Sequence, residues 1–429
     1  METYKEAEAY INTIPKFTEK HSLSHTKTFL EALGCDETHL RARISHVAGT
    51  NGKGSICRYL AAILKAEGRH VGAFYSPHLV KMTERMEIDG RAIDEETFLD
   101  AFRRVKETAH HLSKCGYTHP TYFEFLFLMA MVIFQGAGVE EIVLETGLGG
   151  RLDCTNVFAK PGVTVIASIS RDHEQYLGST IAEIAGEKAG IIKEGVPVVA
   201  LSDDAESFDV IKKRAEEKNS SLVGVSERQI KITEADANSV AFLLCNAYDN
   251  KEWRVLNGAL CQAANVCEAL AAAEILMNGH VHAELWEEAI RTVRNAGRME
   301  EILPGVVVDG AHNIGACEAF ARTLEKGGRS GKKVLLFSAV MDKDYTEMIR
   351  CLSKENFDAC IVTEICDARG EKGHALLEAF RRAGMDAEEI DDFQAAFEKG
   401  LAEKGPDGTL YCLGSLYLVG MIKDAVGGK

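Results

Sequence analysis

No stretch of this sequence is apolar for long enough to cross a bilayer. The best candidate, Phe123 to Phe134, contains Glu124 and is only about half of the roughly 20 residues that a span needs. The amino terminus, METYKEAEAYINTIPKFTEK, lacks both an uninterrupted apolar core and a small-residue cleavage site, so nothing in it marks a secretory signal. Paired cysteines are also missing. Twelve cysteines are scattered without one CxxC pair, which argues against a zinc finger and, at this size, against a disulfide framework. Free thiols in a reducing cytoplasm are the expectation. Positive charge is the scarcer sign, with 49 Lys and Arg against 65 Asp and Glu and a net charge of −16. Such a surface repels phosphate backbones and anionic lipid heads, so neither a nucleic acid nor a membrane is expected as a partner. There is no tandem repeat and no low-complexity tract. What is present is an ordinary globular composition, 46% hydrophobic and 27% charged over 429 residues, enough for two or three domains at about 150 residues each.

From Ile44 onward, short β-rich runs alternate with helical ones. Arg43 to Ala48 (RISHVA) leads into a Gly-rich turn, after which Ile56, Leu60, Ile63 and Leu64 recur at helical spacing until Gly68. Further strands are expected near His70 to Tyr75, at Glu141 to Glu145 and at Val163 to Ile169, with helices near Thr121 to Phe134 and from about Thr180. After Gly297 a second series begins, with strands near Val306 to Asp309, Val334 to Ser338, Ala359 to Thr363 and Leu410 to Leu413. This order predicts an α/β protein: a P-loop-containing, doubly wound, mostly parallel sheet domain over residues 1–296, then a smaller Rossmann-like α/β domain over 297–429. Residues from about 200 to 255 give the weakest pattern. Ligands of open α/β sheets bind beyond the carboxyl ends of the strands, which singles out Gly49 to Ser55, Ser76, Glu145 and His173.

The strongest local signal is Gly49-Thr50-Asn51-Gly52-Lys53-Gly54-Ser55, between an expected strand and an expected helix. Glycines let backbone N–H groups turn toward phosphate oxygens, the helix amino end adds positive potential, Lys53 neutralises charge, and a hydroxyl can reach a magnesium ion. The string departs from the usual Walker pattern, with Val47 in place of its first glycine and Gly54 in place of the Ser or Thr after lysine. A purely structural turn is the alternative. Glu145 closes the apolar run EIVLE and is followed by TGLGGRLD, so it can hold a metal opposite the loop or simply cap and be solvated. His173 in SRDHEQYLG carries the same two readings.

HVAGTNGKGS, SPHL followed by ERMEIDG, ETGLGGRLDCTN, DHEQYLGSTIAEIAGEKAGIIK, GRME and DGAHN stand in an order that resembles the folylpolyglutamate and dihydrofolate synthases of the Mur ligase superfamily. The resemblance is dense over about residues 40 to 200 and thinner from 255 on. It implies an ATP-dependent ligase, monomeric and cytoplasmic, that joins L-glutamate to a folate or to dihydropteroate. It implies that Gly49 to Ser55 hold the triphosphate, that Ser76, Glu145 and His173 are magnesium ligands, for two ions, and that Lys188 of EKAGI is carbamylated and joins them. Lys53, Lys188 and His173 are then the catalytic set. Asn265 of QAAN, Arg298 of GRME, and Asp309 and His312 of DGAHN match positions holding the nucleotide from the second-domain side. Thr121, Leu152, Asp153 and Cys154 match pterin contacts, although the family more often has Ala at the Cys154 place. Ile314 stands where the family usually has Pro, and Ser415 of GSLYLVG is either a site residue or a plain helix start.

The chemistry implied is activation of a carboxylate. Its negative charge repels an amine and oxide does not leave, so ATP converts it to an acyl phosphate that glutamate can attack, with positioning and charge neutralisation left to the protein. Two domains could close over such an intermediate and exclude water. A peptidoglycan-type Mur ligase is a rival reading, but only 48 residues precede Gly49, few for the UDP-binding domain of those enzymes. A non-catalytic nucleotide-binding module is another. Lys188 also has a plain alternative, pairing with Glu183 or Glu187.

Overall fold

The computed structural model describes residues 3–16, 21–245, 247–327 and 331–427. The chain divides into two compact units. One takes the chain up to Ile169, Leu177–Gln229 and Ala264–Ile290; the other takes Ser170–Tyr176, Ile230–Ala263 and the chain from Arg291.

The first unit is built on eight strands: β1 (Arg43–Ala48), β2 (Val71–Phe74), β3 (Met86–Ile88), β4 (Arg91–Ala92), β5 (Glu141–Glu145), β6 (Val163–Ile166), β7 (Val198–Leu201) and β8 (Leu222–Val225), in the order β4-β3-β2-β5-β1-β6-β7-β8. All pairs from β2 to β8 are parallel, and β3 and β4 form an antiparallel edge. The central strands are apolar on both faces, as a parallel sheet covered by helices requires. One cover is the helix Tyr122–Ala137, buried on every side from Tyr122 to Phe134. A helix apolar all round belongs inside a core, which is why that run looked membrane-like in sequence.

The second unit has a three-stranded antiparallel sheet, β9 (Ile230–Ala235), β10 (Val240–Leu244) and β11 (Glu252–Val255), and a six-stranded sheet of β12 (Glu300–Leu303), β13 (Val306–Val308), β14 (Lys333–Phe337), β15 (Ala359–Val362), β16 (Glu388–Glu389) and β17 (Thr409–Leu413) in the order β12-β13-β17-β14-β15-β16. It is parallel except for the β12/β13 hairpin. A single cut at 296/297 therefore does not describe these units. Residues before it are tied to residues beyond it by hydrogen bonds, Asn257 Nδ2 to the Arg298 carbonyl at 2.5 Å and the Leu260 N–H to Thr323 Oγ1 at 3.3 Å.

The helix Ala283–Thr292 is fixed to the first unit by Trp286, fully buried, whose Nε1 donates to Glu67 Oε1 at 2.5 Å beside His282 Nδ1 at 2.7 Å on the same oxygen. Trp286→Ala should cost about 3–5 kcal/mol in urea unfolding. Trp286→Phe, which removes the N–H and keeps a ring, should cost less; two variants as stable as the parent would show that this brace contributes nothing.

Candidate active site

The strand β1 runs straight into the loop Gly49 to Ser55, and the helix Lys53–Ala66 starts inside it. Gly52, at its N-cap, has φ +89°, a conformation only glycine adopts without strain, and a Cβ there would strike the amide oxygen of Asn265. No side chain caps this helix. Its first-turn N–H groups thus point toward an anion, which is the property of a phosphate-binding helix start. Lys53 folds over the loop, donating to the carbonyls of Gly49 at 3.1 Å and Thr50 at 3.2 Å, and Ser55 is buried within the first turn.

Two of the expected metal ligands meet beside the loop. β5 lies between β1 and β2, with Glu145 in register with Val47, so the carboxyl ends of three adjacent strands deliver the loop, Glu145 and Ser76 together. The buried Glu145 accepts the Ser76 N–H on Oε2 at 3.0 Å, and a Cβ on Gly54 would stand 3.3 Å from the same oxygen. Lys188, in the last turn of the helix Ile181–Ala189 and 4% exposed, donates to the Gly49 carbonyl at 2.8 Å. The acids proposed as its plain partners are engaged: Glu183 closes a capping box with Thr180, and Glu187 accepts from Arg151 at 2.7 Å. Asn265 belongs with this loop in the first unit, not with the second-domain residues with which the motif reading grouped it.

His173 is the second departure from the sequence reading. It falls in Ser170–Tyr176, which groups with the second unit, and at φ +53° its Nε2 lies 3.3 Å from Lys343 Nζ. Lys343 forms a short, buried ion pair with Asp172, which also accepts from Asn313 Nδ2 at 3.1 Å and has His312 Nε2 3.8 Å away. Burial opposes ionisation of Asp172, but Lys343 with His173 and His312 holds its carboxyl well below the usual carboxylate range. Asp172 stands inside the quoted SRDHEQYLG but was given no role, and Lys343 lies in no quoted motif. His312 itself is pushed down to about 4, chiefly by burial and then by Lys343.

Two predicted ligand residues are braces. Asp309 accepts the N–H groups of Met299 at 2.8 Å and Ala311 at 2.7 Å, so it clamps GRME to DGAHN; burial raises its pKa although Arg298 stands near. Asp153 accepts from the N–H groups of Gly147, Leu148 and Thr155 and from the Thr155 hydroxyl, at 2.6–3.0 Å, and so holds the Gly-rich turn after Glu145. Its carboxylate is occupied by the turn rather than turned to a substrate. Cys154 is buried in the core, Leu152 is 44% exposed, and Thr121 caps the helix Tyr122–Ala137 in a capping box with Glu124. Ser415 Oγ accepts the Tyr417 N–H at 3.1 Å, the plain helix start of its two readings, and Asn313 Oδ1 caps the helix Ile314–Gly327 at 2.9 Å, so Ile314 begins it without Pro.

His46 of β1 was missed, its burial being invisible in RISHVA. The Thr155 hydroxyl spends its proton on Asp153, so it accepts from His46 Nε2–H at 2.8 Å. Burial, reinforced by Lys193, pushes His46 down to about 3 from 6.5. The folded state therefore keeps this ring neutral while the unfolded chain protonates it. Its stabilisation is complete above pH 6.5 and is lost as pH falls from 6.5 toward 3. His46→Gln, which retains a donor but does not titrate, should show a shallower loss of stability over that window in urea unfolding followed against pH. A slope equal to that of the parent would contradict a buried neutral His46.

Comparison with known proteins fits this geometry. The Mur ligase middle domain matches residues 47–275 and the Mur ligase glutamate ligase domain matches 297–416. A dihydrofolate synthase/folylpolyglutamate synthase of Bacillus subtilis is 35% identical over 359 residues, 81% of this chain and 82% of its own. A Mycobacterium tuberculosis folylpolyglutamate synthase, solved with ADP and AMPPCP, superposes with a TM-score of 0.86 at 26% identity over 99% of this chain and 98% of its own. The bifunctional folylpolyglutamate synthase/dihydrofolate synthase of Yersinia pestis, solved with AMPPNP and a manganese ion, gives 0.83 at 27% identity over 100% and 98%. The chain belongs to the Mur ligase family, in its folylpolyglutamate and dihydrofolate synthase branch.

Proposed function

We propose that this protein is an ATP-dependent amide ligase that joins L-glutamate to the carboxylate of dihydropteroate, of a tetrahydrofolate, or of both. The observation that carries the reading is the uncapped helix start at Lys53, with Glu145 and Ser76 on one side and Lys188 on the other. The γ-phosphoryl group passes from ATP to a carboxylate oxygen with release of ADP. The glutamate amine, having lost its proton, then attacks the acyl carbon, and inorganic phosphate leaves. The helix N–H groups and the Lys53 ammonium orient the phosphates and offset the charge that develops on them. Arg298 and His312 are assigned to the nucleotide, with Asp309 holding their two motifs in register. We take the enzyme to act as a monomer in the cytoplasm; its twelve cysteines are all free thiols.

Magnesium fits the residues at the loop. Glu145 is a buried carboxylate and Ser55 a hydroxyl, both hard oxygen donors, with the Ser76 hydroxyl assigned to the same task. A bound ion would neutralise charge on the phosphates. Lys188 fits this role only as a carbamate: its neutral amine adds carbon dioxide and releases one proton, and the product is an anion with two oxygens where an ammonium would repel the metal. A second magnesium position is assigned to that carbamate.

Lys53→Ala should abolish ligation while leaving the unfolding transition unchanged, because its ammonium serves charge in the loop and not packing. Ligation is read as product formed from dihydropteroate and from tetrahydrofolate in separate assays with glutamate and ATP. Retained ligation would remove the phosphate-loop assignment, and failure of the parent with both acceptors would remove the proposed function. Lys188→Ala should lose most activity, with partial rescue by acetate. A carbonyl signal from ¹³C-bicarbonate should be present in the parent and absent in the variant; no signal in the parent together with an active variant would remove the carbamate.

A further inference from the structure

A cluster in the first unit lies outside every role assigned above. His21 and His25 stand at the start of the helix Leu23–Leu33, one helical turn apart, with ring centroids 4.1 Å apart. Both rings meet Thr118 through Nε2: His25 reaches its carbonyl at 3.0 Å, and His21 reaches its hydroxyl at 3.1 Å. A carbonyl only accepts, so the His25 proton sits on Nε2, and Nδ1 of the neutral ring carries the lone pair. That Nδ1 is buried and has no hydrogen-bond partner among the described residues; Glu124 Oε1 is 3.9 Å away. His21 Nδ1 meets Glu124 Oε2 at 2.8 Å. The Glu124 carboxylate, 7% exposed, is held in place by the Thr121 N–H at 2.8 Å and the Thr26 hydroxyl at 3.2 Å.

We propose that His21, His25 and Glu124 bind a divalent transition metal of the zinc type, tying the helix Leu23–Leu33 to the segment 118–124. One ligand atom from each residue lies within 4.8 Å of the others, and tetrahedral zinc with bonds of about 2.0–2.2 Å sets its ligands roughly 3.3 Å apart. Small ring rotations close that difference. The outer contacts are those a metal site needs, since a ligating imidazole normally gives its other N–H to a carbonyl or similar acceptor, which fixes tautomer and direction. The Thr118 hydroxyl donates or accepts, so His21 can present either tautomer and keep that partner. Without a cation, the His25 lone pair is a buried acceptor left unsatisfied, which is unfavourable. Two imidazoles select zinc, cobalt or nickel over magnesium, so this site does not compete with the phosphate loop for its ion.

The test uses the full chain, free of nucleotide, stripped with a chelator and titrated with Co²⁺. One equivalent should give the intense visible bands of a low-coordinate, nitrogen-ligated ion, and Zn²⁺ should displace it. His25→Ala should lose those bands, and Thr118→Val, which removes the hydroxyl 3.1 Å from His21 Nε2 and 3.2 Å from His25 Nε2, should weaken Co²⁺ binding by roughly 10- to 100-fold. Zn²⁺ should raise the melting temperature of the parent but not of His25→Ala. Bands of equal strength in the parent and His25→Ala, or only the weak bands of an oxygen-ligated ion in the parent, would overturn the proposal. Should His25→Ala fail to fold, an unaltered Co²⁺ affinity in Thr118→Val would overturn it alone.

Discussion

A helix that begins without a cap is the feature on which the rest of the first unit depends. Many helix starts in this chain are closed by their own side chains, as at Thr3, Ser22, Asp94, Thr180, Asp204, Asp344 and Asp392, whereas Lys372 is a cap without such a bond. At Lys53 the cap is Gly52, which offers no side chain. The helix start carries positive potential from its free N–H ends and from Lys53, in a chain whose net charge is −16. Glu145, Ser76, Lys188 and Asn265 are then the groups the sheet and two further helices bring against it.

Within each unit, some buried polar residues serve to hold neighbouring segments still. His46, Thr155 and Asp153 form one line of hydrogen bonds from the central strand to the Gly-rich turn after Glu145. Asp309 does the same for GRME and DGAHN, and Lys343 with Asp172 for the segment carrying His173. Charged groups this deeply buried are tolerated only when paired and fully hydrogen-bonded. A catalytic geometry that must be held within fractions of an ångström gives a reason to accept that cost.

The strands and the loop were legible in the sequence because their signals are local. β1 and β5 have the bounds that RISHVA and EIVLE gave, and four of the six strands of the larger second sheet, β13, β14, β15 and β17, agree within a residue or two, since a strand buried on both faces is a short apolar run between turns; β12 and β16, which bury no residue, were not foreseen. Residues 200–255 were not legible for the opposite reason. β9 is polar and half exposed along its length, and its place is set by pairing with β10, a tertiary fact. The site residues divide in the same way. Motifs located Lys53, Glu145 and Lys188, but they do not distinguish a carboxylate facing a ligand from one consumed by four backbone and hydroxyl donors, as at Asp153. Nor could they show that the segment of His173 packs with residues 170 positions later, or that His21 and His25 meet Thr118 and Glu124 about 100 positions later.

The central claim is that the acceptor carboxylate is phosphorylated before glutamate is joined to it. Dihydropteroate or a tetrahydrofolate carrying ¹⁸O in that carboxylate, turned over with glutamate and unlabelled ATP, tests it directly. Passage through an acyl phosphate predicts that each amide formed delivers one labelled oxygen to inorganic phosphate, seen by mass spectrometry, with ADP as the other product. Label appearing in AMP, or amide formed with no label in phosphate, would contradict it.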